Sequence, residues 1–132
     1  MRNLMQFYIM AENFLTAIGM PVVRFTAEQD TVSINVEQRF AIHFCMDRSG
    51  SCFFLGDRLQ QDGKSTAGFH REWLMANRIS CGALQPVVAL NGDGEPSCWV
   101  RLPSGICPTS ELIAAFDVLV EKMDELTRPL AR

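Results

Sequence analysis

The sequence predicts an α+β fold with one twisted antiparallel sheet packed against helices. Three observations carry this reading. A helical apolar period opens the chain and another closes it, and stretches with a period of two lie between them. The stretches of period two follow one another through short connections, so adjacent antiparallel strands are the economical topology. The 132 residues suit one domain, expected over 1–132, with no internal repeat and no linker.

The elements follow in order. Residues Asn3 to Ile18 place Leu4, Phe7, Tyr8, Ala11, Phe14, Leu15 and Ile18 on one helical face, and Gly19 and Pro21 supply the stop. From Thr31 the period changes to two. Val32, Ile34 and Val36 alternate with Ser33, Asn35 and Glu37, giving a strand with one wet face. Phe40, Ile42, Phe44 and Met46 alternate with Ala41, His43 and Cys45 as a second strand. Asp47-Arg48-Ser49-Gly50 is a turn, and Cys52 to Arg58 is a third strand whose Phe53-Phe54-Leu55 run places bulky apolar groups on both faces. Gln60 to Gly68 reads as a loop and Phe69 to Ile79 as a shorter helix.

Two further strands are expected at Pro86–Leu90 and Ser97–Leu102, around the hairpin-turn signal Asn91-Gly92-Asp93-Gly94-Glu95. After a loop from Pro103 to Pro108, Thr109 is the expected N-cap of a long amphipathic helix. Glu111 lies in its first turn, where a carboxylate suits the helix dipole. Leu112, Phe116, Leu119, Val120, Met123 and Leu126 form its apolar side. Asp117, Glu121, Asp124 and Glu125 form the acidic side, and Pro129 closes it. The order is α-β-β-β-α-β-β-α.

Composition narrows the function. Hydrophobic residues make up 48% and charged residues 20%, which excludes a disordered chain. The net charge is −3 and the basic residues are scattered, so no stripe exists to track a phosphate backbone and nucleic acid is not expected as a partner. No apolar run reaches the roughly 18 residues of a membrane span. The first twenty residues carry Gln6, Glu12 and Asn13, which argues against a signal peptide. Five cysteines, an odd number without a CxxC, read as reduced thiols of a cytosolic protein.

Few residues offer chemistry. The two histidines are His43 and His70. His43 and Cys45 share a strand face, and a small cytosolic enzyme using this Cys–His pair is one alternative. No third orienting group is evident, and a polar-face histidine accounts for the same pattern. A metal held by His43, Cys45 and Cys52 lacks the closely paired ligands that zinc sites show. The Asn91–Glu95 stretch fails as a calcium loop because Pro96 stands where the glycine is required. No GxGxxG opens a helix. No catalytic residue, cofactor or metal is therefore expected. Trp73 and Trp99 suit either a core or an interface.

Three stretches taken together resemble the class I type III secretion chaperones, the Tir-chaperone-like family. The first is Phe14-Leu15-Thr16-Ala17-Ile18-Gly19 ahead of the strands. The second is Trp73-Leu74-Met75-Ala76-Asn77. The third is Val87 to Arg101, then Leu102-Pro103, then the acidic helix from Glu111 to Leu126. The resemblance spans nearly the whole chain.

The resemblance implies a non-enzymatic homodimer in the bacterial cytoplasm. Such a dimer binds the N-terminal region of a secreted effector as an extended chain and keeps it competent for secretion, and it can also meet components of the secretion apparatus. It implies a dimer contact through the second helix and its neighbouring strand, here Trp73, Leu74, Asn77, Val88 and Trp99. It also implies apolar patches for the effector, and the residues expected there are Phe7, Leu15, Ile18, Phe53, Phe54 and Leu55. A dimeric adaptor or regulator of the same fold is the remaining alternative.

Overall fold

The computed structural model describes residues 3–21, 24–26, 28–58, 71, 73–77, 84–90, 96–103 and 107–127. The expected loop at 60–68, the turn at 91–95, His70, Cys81 and Pro129 lie outside the described residues. The first helix, α1, spans Leu4–Ala17. Its N-cap is Asn3, whose side chain accepts from the Gln6 amide at 3.2 Å and so satisfies one of the free donors of the first turn. Its end is a Schellman closure. Gly19 N–H bonds the Thr16 carbonyl at 3.1 Å and Met20 N–H bonds the Leu15 carbonyl at 2.8 Å. Gly19 has φ +81°, a conformation in which a Cβ is strained.

Three strands follow: β1 (Thr31–Val36), β2 (Phe40–Met46) and β3 (Cys52–Arg58). A short helix, α2, is described at residues 71 and 73–75. Then come β4 (Val87–Leu90), β5 (Pro96–Arg101) and the long helix α3 (Thr109–Thr127). Thr109 is the first residue of α3 rather than its cap: the Pro108 carbonyl accepts from Glu111 and Leu112, which places the boundary one residue earlier.

All strands are antiparallel in the order β1-β2-β3-β5-β4. The β1–β2 turn is unusual. Glu37 and Gln38 hold φ of 52° and 58°, left-handed values without a glycine or asparagine to relieve them. The β2–β3 turn is better provided. Asp47 Oδ1 accepts from Ser49 N–H, Ser51 N–H and, at 2.6 Å, the Ser49 hydroxyl.

Both long helices pack on one face of the sheet. Phe7 of α1 stacks on Phe44 at 5.0 Å, and Phe14 meets Phe54 edge-on at 5.3 Å. Phe116 of α3 closes the cluster against Phe14 and Phe54. Ile42, Leu112, Leu119 and Met123 are fully buried in the same core. Gly56 is what lets α3 lie this close: a Cβ there would stand 2.8 Å from Met123 Cγ. Arg39 ties the β1–β2 turn to the end of α3. It pairs with Asp124 at 2.6 Å and donates to the Asp124 carbonyl and the Thr127 hydroxyl, a cation on the negative end of a helix.

Candidate polypeptide-docking edges and face

The other face of the sheet carries no described helix. The register sets its side chains in rows. Ser33, His43, Leu55, Trp99 and Val87 form one row across all five strands. Thr31, Cys45, Phe53 and Arg101 form a second. The face is polar at β1 and apolar at β4, where it carries Val87 and Ala89, while β5 sets Trp99 between Ser97 and Arg101. Arg101 lies over the rings of Phe53 and Trp99 at 5.4 and 5.8 Å and is held there by Asp47 at 3.2 Å.

The two sheet edges differ. At β4, the Asn77 side chain takes both outward backbone groups of Val88. Its carbonyl accepts from Val88 N–H at 2.6 Å and its amide donates to the Val88 carbonyl at 2.7 Å. This side chain stands in for a neighbouring strand. Trp73 anchors the same segment by donating to the Ser97 carbonyl at 3.2 Å, and Lys122 of α3 donates to the Ala76 carbonyl at 2.8 Å.

At β1, the bonds Met46 N–H to Asp30 C=O and Arg39 N–H to Val36 C=O show which residues face β2. By alternation, the N–H and C=O groups of Thr31, Ser33 and Asn35 point away from the sheet. The Gln29 side chain donates to the Thr31 carbonyl. No described strand pairs with this edge, so Ser33 and Asn35 present it to solvent.

The expected effector residues do not form one patch. Phe7, Leu15 and Phe54 are buried in the core at 2% exposure or less, because α1 and α3 cover that face. Phe53 and Leu55 are half-buried on the opposite face, as strand alternation requires. Ile18 is half-buried at the end of α1. The large apolar residues that α1 exposes are Met5 and Ile9, one turn apart.

The expected dimer residues divide similarly. Trp73 and Val88 are 2% exposed and belong to the core of this chain. Asn77 is committed to Val88, and Trp99 is half-buried on the uncovered face. Leu74 remains exposed, and Met75 and Leu90 also expose apolar surface.

His43 has partners that the sequence did not reveal. Its Nδ1 lies 2.7 Å from Ser33 Oγ on β1, and its Nε2 lies 3.2 Å from Asp57 Oδ2 on β3. Both ring nitrogens are thus engaged away from Cys45. Burial pushes the Cys45 thiol up to about 11, which keeps it protonated and poorly nucleophilic at neutral pH. Burial likewise raises Cys52 to about 11 and Cys98 to about 12. The Cys–His nucleophile pair is not assembled. Among the described residues, no three His, Cys, Asp or Glu side chains converge to hold a metal. No described helix is long and apolar enough to cross a membrane.

This architecture, a five-stranded sheet with two long helices on one face and a short helix at one edge, is that of the type III secretion chaperones. The chain belongs to the Tir chaperone protein (CesT) family, whose model matches residues 10–127. Solved structures share the fold at low identity. A chain of the ExoT–SpcS complex from Pseudomonas aeruginosa superposes with a TM-score of 0.67 and 17% identity, covering 91% of this chain and 96% of that one. A chain of the HopA1–SchA chaperone–effector complex gives 0.68 and 14%, covering 96% and 98%. A chain of the structure of the Yersinia pestis type III secretion chaperone SycH with a fragment of YscM2 gives 0.65 and 18%, covering 91% and 98%. No curated protein matches the chain in sequence.

Proposed function

We propose that this chain is a type III secretion chaperone that works as a homodimer in the bacterial cytoplasm. It binds the N-terminal region of a secreted effector as an extended chain and keeps it competent for secretion. The observation that carries the reading is the open edge of β1. Its outward N–H and C=O groups suit a client strand, and a sheet edge left unpaired is a template for β-addition. The exposed Met5 and Ile9 of α1 offer an extended chain apolar anchors, and these help offset its ordering entropy.

The apolar half of the uncovered face, with Leu74, Met75 and Leu90 near the β4 edge, supports a second copy of the chain on that side. Family membership and the relatives support the same reading, since two of those described are chaperone–partner complexes by description.

Size and binding test it together. Purified protein should run as a dimer of the 14.8 kDa chain and co-purify from its native cell with a secreted protein. Ser33→Pro removes one outward N–H at an edge position where proline is tolerated, so the variant should stay folded and dimeric but lose the client. A stable monomer, or a Ser33→Pro variant that binds its client as before, contradicts the reading.

A further inference from the structure

The polar group on β1 has more structure than a wet strand needs. Ser33, His43 and Asp57 lie on three neighbouring strands: Ser33 Oγ is hydrogen-bonded to His43 Nδ1, and Asp57 Oδ2 stands 3.2 Å from His43 Nε2, with Ser33 outermost at the open edge. The chemistry of the three groups fixes the direction of the Ser33 bond. A carboxylate oxygen 3.2 Å from Nε2 repels a ring lone pair there and favours the N–H, so neutral His43 carries its proton on Nε2. Nδ1 is then an acceptor, and the Ser33 hydroxyl donates to it at 2.7 Å. What Ser33 has left to show at the edge is its lone pairs. If His43 takes a second proton from solvent, it goes to Nδ1 and the bond reverses. Nδ1–H then donates to Ser33 Oγ, and the Ser33 proton turns outward.

A strand added beside β1 would place one side chain opposite Ser33 on this same face, with its Cβ about 5 Å away. We infer that Ser33, set by His43 and Asp57, selects the side chain of the docked strand at that position. A hydrogen-bond donor such as Lys or Arg is chosen while His43 is neutral, and an acceptor such as Glu once His43 is protonated. The inference rests on the proposed docking of an extended client at the β1 edge.

Asp57 is the charged group in contact with His43. Asp57 faces it from β3, beside the apolar Leu55. Its own strand contributes the Cys45 thiol, which burial keeps neutral. From β1 come the hydroxyls of Thr31 and Ser33, with Asp30 just ahead of the strand and close enough to act on Cys45. Arg101, two strands beyond, is bound to Asp47.

The test is a sorted library of displayed random peptides, roughly ten residues long to match a strand. It is sorted on the wild type, on Ser33→Ala and on Asp57→Asn. Wild type at neutral pH should enrich alternating sequences with Lys or Arg over Glu at one position, by about fivefold, the factor that one net hydrogen bond supplies. Ser33→Ala should keep the alternation and lose the preference. Asp57→Asn, whose amide no longer obliges Nε2 to donate, should weaken it. Sorting at a pH where the His43 nitrogen shifts show the imidazolium should reverse the preference in the wild type only.

A Lys preference that survives in Ser33→Ala reflects general charge attraction and overturns the selector, while leaving edge docking intact. Alternating sequences enriched by none of the three proteins would overturn edge docking and the selector with it.

Discussion

The β4 edge and the β1 edge face the same problem, a row of backbone groups without a neighbouring strand, and meet it in opposite ways. At β4, Asn77 supplies both halves of the missing ladder from a single side chain, and buried Trp73 fixes the segment that carries it. At β1, Ser33 and Asn35 leave their backbone groups outward, and polar side chains flank them. An unpaired edge risks aggregation, so proteins commonly cover, shorten or charge it. Closing one edge with a dedicated residue while leaving the other open is the contrast on which the proposed client docking rests. The uncovered face follows the same division, apolar near β4 and polar near β1.

Substitutions at each edge can break or sharpen this contrast. The largest effect is expected from Trp73→Ala. It empties a buried aromatic site and strips the Ser97 carbonyl of its donor, and it should cost about 3–5 kcal/mol in urea unfolding. Asn77→Ala should cost less, about 1–3 kcal/mol, since two hydrogen bonds are lost at a part-buried edge. It should also speed amide exchange at Val88, which now has no partner. If Val88 exchange is unchanged, Asn77 is not what closes this edge.

On the β1 side the sign reverses. Gln38→Gly relieves a left-handed φ in the β1–β2 turn and should stabilise by about 1 kcal/mol, measured as a raised denaturation midpoint. The smallest effect lies away from both edges, at Asp47. The Ser49 hydroxyl, with further help from the Ser51 and Ser49 amides and Arg101, holds its carboxyl down to about 2, below the ordinary 3.8. A depressed folded value means the stabilisation is complete above the ordinary value and is lost as pH falls from there towards about 2. Asp47→Asn should flatten that part of the acid-unfolding curve and leave neutral-pH client binding unchanged.

Much of the fold was legible in the residues. The ranges of β1, β2 and β3 follow from alternation alone, because one face of each packs under helices and the other does not. β4 and β5 shift by about one residue at their ends, where the period has least to count. The insertion of β5 between β3 and β4 was not legible, since alternation says which face a side chain takes and not which strand lies beside it. The docking surfaces were harder to read. Phe7, Leu15 and Phe54 carry the pattern of residues that need an apolar neighbour, and the pattern cannot say whether that neighbour is a client or the chain's own core. The partners of His43 were hidden for a related reason. Pairing Ser33 with His43 requires a turn centred on Gln38, and Glu37-Gln38 has none of the residues that announce one.

The central claim is that a client pairs as a strand with the open edge of β1. Amide hydrogen exchange, compared with and without the N-terminal segment of the co-purifying effector, tests it most directly. The account predicts new protection at Ser33 and Asn35 and no change at Val88, which Asn77 already protects. Protection that appears at α1 or β4 while Ser33 and Asn35 exchange as in the free protein would contradict it.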